Sequence, residues 1–179
     1  MINNALRPYP FFARLLHWVN AVIILWAMIS GGVYAFELLP DNVAKHIPPF
    51  NIAITILLIP LFLLRIVNRL RFTMPDLPIS SNEKRMAHYG HLAIYALTTA
   101  SLFTGVLMME RPIDIFGLLH FDPIFIPGEL TKFLGLSHNI SNALLGIMLV
   151  IHVGAIVKHH HHGLPILSRM MPAYSKKRY

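Results

Sequence analysis

Long apolar blocks dominate the pattern of hydrophobic and polar positions along this 179-residue chain. Four mostly apolar blocks, separated by polar or proline-containing segments, cover about 15–36, 50–70, 86–109 and 138–158. A helix of about 20 apolar residues is long enough to cross the hydrocarbon core of a bilayer. The pattern therefore predicts an all-α fold, an integral membrane four-helix bundle that occupies 1–179 as a single domain in contact with the lipid bilayer.

The segments between the blocks also carry structural signals. The linker "RFTMPDLPISSNEKR", Arg71–Arg85, contains two prolines and a Ser-Ser-Asn helix start, so it predicts a loop that ends in a helix cap. The segment Glu110–Leu136 is too apolar for a freely solvated loop. We expect it to fold over the outer face of the bundle.

The distribution of charge predicts the orientation of the chain. The formal net charge of +7 could suggest a nucleic-acid partner, but twelve of the fifteen Lys and Arg residues lie in three regions. These regions are the N-terminus, residues 65–85 and the tail from Lys158 onward. By the positive-inside rule, both termini are cytoplasmic, and the basic excess is explained by topology and anionic lipid headgroups. No nucleic-acid partner is expected.

Five histidines fall within the predicted helices, and three of them lie on the first and fourth. His17 lies near the start of the first helix, and His138 and His152 are fourteen residues apart on the fourth. Fourteen residues of helix span roughly 21 Å and return to nearly the same face. Because ionisable groups at membrane depth are costly, such residues are functional candidates.

Their arrangement favours haem over other metal centres. The absence of cysteine excludes iron–sulfur clusters and thiolate zinc sites. A zinc site would need three or four ligands at one level, whereas a haem b needs two axial ligands from facing helices of a bundle. His17 and His152 both lie on the cytoplasmic side and can hold one haem. His138 lies on the outer side, where His46 is the one histidine in the first loop or second helix.

Other interpretations of these side chains stay open. A single membrane histidine often forms a hydrogen bond between helices. His88 and His91, in "AHYGH", can serve as interfacial caps of the third helix as well as functional groups. His120 is expected at the surface, and the Met108-Met109 pair is typical of packing.

Several motifs occur in a shared order and spacing. They are "LLHWVN" around His17, "LLRIVNRL" at the end of the second helix, "MAHYGHLAIY" and "TGVLMM" on the third, the two fourth-helix histidines and the closing "LSRMMP". Together they resemble the bacterial cytochrome b561 family, over nearly the full chain. The resemblance implies a superoxide oxidase-like dihaem cytochrome of the bacterial inner membrane, in which four helices hold two haems b and exchange electrons with ubiquinone.

The resemblance also implies roles for individual residues. It assigns His17 and His152 to the cytoplasmic haem and His138 to the outer haem. It implies a ubiquinone site near the cytoplasmic end, beside His159, with His91 in the same neighbourhood.

One position departs from the family pattern. The family's second-helix histidine lies fourteen residues before an arginine that aligns with Arg65, and this chain has Asn51 there. Either a local insertion shifts the ligand to His46, or the outer haem lacks its second imidazole. We favour His46, with two haems expected, or one if the ligand is lost.

The leading hypothesis is a b-type cytochrome that transfers electrons between an outer-side donor and the quinone pool. Superoxide is one candidate donor, although an anionic substrate is disfavoured because the outer loops contain six acidic and three basic residues. The alternative is a membrane-anchor subunit that carries electrons for a separate dehydrogenase or hydrogenase, with the apolar loop 110–136 as its docking face. A haem-free metal transporter is disfavoured because the predicted spans lack acidic residues at membrane depth.

Overall fold

The structure, a computed structural model, describes residues 8–71, 79–164 and 166–171. It contains four long helices: α1 (Phe11–Ala35), α3 (Ile47–Arg71), α4 (Ser81–Leu107) and α5 (Glu129–His161). The shorter elements are helix α2 (Asp41–Ala44), strands β1 (Ile113–Ile115) and β2 (Leu119–Phe121), and a 3-10 helix (Ile166–Arg169). All four long helices are long and apolar enough to cross a membrane. The predicted all-α, four-helix membrane bundle is therefore confirmed.

The long helices extend beyond the apolar blocks because polar flanking residues remain helical. Helix α4 begins at Ser81 rather than at 86, since Ser80 and Glu83 form a capping box. The Ser80 Oγ accepts a hydrogen bond from the Glu83 N–H at 3.3 Å, and the Glu83 carboxylate accepts one from the Ser80 N–H at 3.1 Å. Part of the linker predicted before this cap, 72–78, lies outside the described residues.

The bundle consists of two helical hairpins. Helix α1 packs along α3 and α4 packs along α5, whereas contacts between the two pairs are few. The pairs meet in a central apolar layer that contains Ile24 of α1, Leu58 and Phe62 of α3, and Leu145 of α5. Polar side chains of the two hairpins can therefore meet in the space above and below this apolar layer.

Both described chain ends lie at the same end of the bundle. The Tyr9 N–H donates to the Arg169 carbonyl at 3.1 Å, and the Trp18 indole N–H donates to the Met170 carbonyl at 2.7 Å. The Arg169 side chain is fully buried, with its guanidinium 5.1 Å from the Tyr9 ring centroid. We call this the inner end, because the positive-inside rule predicts that it faces the cytoplasm, and the opposite end the outer end.

A β-hairpin covers the outer end. Strands β1 and β2 pair in antiparallel fashion, and the connecting turn contains Gly117 with a positive φ of 72°. Ile113 and Ile115 are buried against Ala53 of α3. The segment between α4 and α5 thus folds back on the bundle, as its apolar content indicates, whereas Leu118 at its turn is 82% exposed.

Candidate functional site

His17 and Arg65 form a polar centre in the inner half of the bundle. His17 lies on the second turn of α1 and is partly buried. The Arg65 guanidinium of α3 donates a hydrogen bond to His17 Nδ1 at 2.9 Å. It also lies over the Tyr95 ring of α4, 5.4 Å from the centroid. Arg65 therefore connects α1, α3 and α4 across the two hairpins.

His152 of α5 reaches the same region from the other hairpin. Its ring lies 5.3 Å from the His91 ring of α4, centroid to centroid, in an edge-to-face arrangement. Arg65 lies within electrostatic range of both His17 and His152. The structure thus brings together three of the predicted site residues, His17, His91 and His152. It adds Arg65, whose position at membrane depth is itself a signal of function.

His91 also lines a cavity between α3 and α4. Its Nδ1–H donates to the Ala87 carbonyl at 2.6 Å, which leaves Nε2 as an acceptor. The cavity has a volume of about 230 Å³, and Arg69, His88 and Tyr95 supply its other polar groups. His88 and His91 therefore belong to one cavity wall at the inner end.

His159 lies elsewhere, on the last turn of α5, and its side chain is partly buried. The histidine run ends this helix, since α5 stops at His161 and the His162 Nδ1–H donates to the Lys158 carbonyl at 2.7 Å. Lys158 pairs with Glu83 of α4 at 3.7 Å. His159 does not line the cavity that contains His91.

In the outer half, His138 belongs to a hydrogen-bonded network between α4 and α5. Its Nδ1–H donates to the Ser101 carbonyl at 2.9 Å, and the Asn142 amide donates to Nε2 at 2.9 Å. The Ser101 hydroxyl donates to the Asn142 Oδ1 at 2.7 Å. A Cβ at Gly105 would lie 3.0 Å from His138 Cε1, so glycine permits the close approach of the ring to α4.

The predicted partners of His138 lie apart from it. Asn51 faces α1, where its amide donates to the Ser30 hydroxyl at 2.9 Å and to the Ala27 carbonyl at 3.4 Å. His46 lies in the turn before α3, and its side chain is exposed. The described residues show no contact between His46 and His138. His120 is also exposed and lies 3.2 Å from Asp114.

Comparison with known families gives a match over most of the chain. The model of the family described as prokaryotic cytochrome b561 matches residues 8–173. The chain belongs to the prokaryotic cytochrome b561 family. None of the curated proteins compared with the chain matches it significantly. Membership confirms the resemblance seen in the motifs, and it implies a b-type haem and electron transfer in a membrane.

The inner end of this cytochrome b561 fits a haem with two axial histidines. His17 and His152 come from different hairpins, and in the described part of the chain Nε2 of neither ring takes part in a hydrogen bond. A guanidinium can only donate, so His17 Nδ1 accepts from Arg65 and the ring proton sits on Nε2. Coordination through Nε2 would move that proton to Nδ1, and Arg65 would then have to turn aside.

The outer half does not fit a second haem of this kind. His138 donates its Nδ1–H to a carbonyl. Metal-bound histidines usually donate such a hydrogen bond from the ring nitrogen that does not bind the metal. Within the described ranges, however, no second imidazole contacts it: Asn51 occupies the position of the family's histidine, and His46 is exposed. The outer half therefore supplies one of the two axial ligands that such a haem requires.

Proposed function

We propose that this cytochrome b561 exchanges electrons with ubiquinone through a haem b held by His17 and His152. The observation that carries the proposal is the convergence of these two imidazoles, from separate hairpins, at one end of the bundle. Haem b supplies one-electron oxidation and reduction when bound. Ubiquinone takes up two electrons and two protons to become ubiquinol, so each quinone requires two successive electron transfers.

The cavity between α3 and α4 is the proposed site for the quinone headgroup. Arg69 can donate a hydrogen bond to a quinone carbonyl, and His91 Nε2 can accept one from a quinol hydroxyl. Three aliphatic side chains complete the lining: Ile66, Leu70 and Leu92. Such a mixture of apolar walls and a few polar groups is typical of small-molecule sites.

Proximity to the proposed haem ligands also supports this location. His91 lies in the cavity wall and also contacts the His152 ring. A headgroup bound there would be separated from the haem ligand by one side chain. His159, which the family resemblance implies as a neighbour of the quinone, is the alternative position and serves as a comparison in the experiment.

The experiment measures the rate at which a short-chain ubiquinol reduces the haem in detergent-purified protein. Arg69→Gln and His91→Ala should each raise the KM for quinol by roughly 10-fold, because a hydrogen bond to a charged or buried partner contributes about 1.5 kcal/mol or more. Reduction by dithionite should be unchanged, which shows that the haem is retained. A raised KM in His159→Ala alone would move the quinone site to the end of α5. If quinol does not reduce the wild-type haem, the proposed function is wrong.

Two outer-side candidates for the other electron-transfer partner can be tested. Superoxide is one candidate, and its oxidation would release one O2 for each electron transferred. The second candidate is a separate dehydrogenase or hydrogenase subunit, for which the exposed apolar residues Leu118 and Ile126 would form a docking face. Haem reduction by enzymatically generated superoxide would support the first candidate. Reduction that requires a copurifying dehydrogenase would support the second.

Either outer-side donor needs a redox centre in the outer half. His138 lies fourteen residues before His152 on the same helix, which corresponds to roughly 21 Å. The number of haems therefore decides whether an outer-side donor can deliver electrons directly.

A further inference from the structure

We infer that this chain binds a single haem, at the inner end, and that hydrogen bonds between helices replace the outer haem. The inference rests on the proposed function only in taking His17 and His152 as the ligands of the inner haem. It is carried by three residues of the outer half: Asn51, His138 and His46.

Asn51 stands at the depth where a second ligand would be needed. Helices α3 and α5 both run from the outer to the inner end. Arg65 lies over Tyr95 and His152 lies against His91, and these two contacts are one turn apart on α4, so Arg65 and His152 lie at a similar depth. Fourteen residues earlier on each helix are Asn51 and His138, so these two also lie at a shared depth. Haem iron in proteins is held by His, Cys, Met or Tyr. Asparagine leaves His138 without a partner at this depth.

The Asn51 side chain already takes part in a contact between helices. Its amide donates to the Ser30 hydroxyl and to the Ala27 carbonyl of α1. The Ser30 hydroxyl is also within 3.0 Å of Asn51 Oδ1 and bonds to the Trp26 carbonyl at 2.6 Å. Ser30 is buried. The residue in the family's ligand position thus connects α1 to α3 within one hairpin.

His138 is engaged in the same way within the other hairpin. Both ring nitrogens have partners, Ser101 on α4 and Asn142 on its own helix. Asn142 and Ser101 also bond to each other, so the three residues form a closed network. The Asn51 and His138 side chains are therefore each satisfied within their own hairpin, which is favourable inside a membrane because unpaired polar groups there are costly.

His46 does not supply the missing ligand. It lies five residues before Asn51 and ahead of the first residue of α3. Along a helix this corresponds to about 7–8 Å towards the outer surface. Its side chain is exposed at that end. The ligand has therefore been lost from position 51, and His46 has not replaced it.

A single inner haem changes how electrons reach the protein. Donor and quinone then both exchange electrons at the inner end. An outer-side donor such as superoxide has no redox centre on its own side of the membrane.

Haem stoichiometry in the purified full-length protein tests the inference. A pyridine haemochrome assay should give one haem per chain, and the ratio should be unchanged in His46→Ala and His138→Ala. Two haems per chain would overturn the inference, and loss of one of them in His46→Ala would identify His46 as the ligand. A ratio of zero in the wild-type protein would instead contradict the proposed function.

Restoring the family residue provides a gain-of-function test. Asn51→His should raise the ratio from one haem to two, and adding His138→Ala should return it to one. The matched control Asn51→Gln, which keeps an amide, should stay at one. A ratio that remains at one in Asn51→His would overturn the claim that position 51 determines the haem count.

Discussion

His17 and His152 each supply half of the axial coordination proposed for the inner haem. Since they belong to different hairpins, a haem bound between them would also connect the two halves of the bundle. This agrees with the small number of direct contacts between the hairpins outside the central apolar layer.

The two histidines should therefore be interdependent. We predict that His17→Ala and His152→Ala each abolish the same haem, because one remaining imidazole holds it weakly. The measurement is haem content together with the visible spectrum of the purified variants. His120→Ala, an exposed outer position, is the control and should keep the wild-type haem content. Retention of the wild-type haem content in either variant would show that the pairing is wrong.

Arg65 is expected to influence the reduction potential of the inner haem. A nearby cation disfavours the more positive ferric state, so Arg65→Leu should lower the potential, by on the order of tens of millivolts. A spectroscopic redox titration measures the shift. Arg71→Leu removes an exposed charge at the end of the same helix and should change the potential much less. Equal shifts in the two variants would argue against a specific role for Arg65.

Among the elements, the β-hairpin shows how a segment outside the predicted helices acquires its structure. Alternation along β1 buries Ile113 and Ile115 and leaves Asp114 exposed. Asp114 accepts a hydrogen bond from the Gly117 N–H at 2.9 Å, which supports the turn. Packing against the first turns of α3 and the hydrogen bond within its own turn thus hold the hairpin in place.

The packing of this hairpin can be measured directly. Ile113→Ala should lower the free energy of unfolding in detergent by about 2–4 kcal/mol, because it removes buried methyl groups and leaves a cavity. The exposed residue Leu118 provides a matched control, and Leu118→Ala should change that free energy by less than about 0.5 kcal/mol. Similar losses in both variants would show that the hairpin turn is also packed.

The apolar pattern predicted the presence of the four helices more accurately than the residues at which they begin and end. Hydropathy identifies the residues in the hydrocarbon core, but a helix continues until its backbone is capped. Ser80 caps α4, and α5 continues outward to Glu129, well beyond the apolar block that begins near 138. Helix α2 and the 3-10 helix are too short to produce a periodic signal.

For the whole molecule, the orientation in the membrane is the main prediction. The concentration of basic residues near both chain ends predicts a cytoplasmic N-terminus and C-terminus. A C-terminal green fluorescent protein fusion should fluoresce, and a C-terminal alkaline phosphatase fusion should be inactive. Alkaline phosphatase inserted at the hairpin turn, near Leu118, should be active. The opposite pattern of activities would reverse the assignment of inner and outer ends.

Sequence alone was enough to predict the four membrane helices, the family and the shared depth of His17 and His152. These properties depend on local composition, on helical periodicity and on the alternating direction of successive spans. The shared order and spacing of the motifs along nearly the whole chain were sufficient to recognise a cytochrome b561, and the family match over 8–173 confirms this.

Only the tertiary structure decided which side chains meet. Helical periodicity defines a face of each helix but not how that face is rotated against its neighbours. The contact of Arg65 with His17, the approach of His91 to His152 and the engagement of Asn51 with Ser30 all depend on that rotation. The exposure of His46 likewise depends on where α3 begins. Packing between distant segments therefore determines the arrangement of the inner site and the difference between the two halves of the bundle.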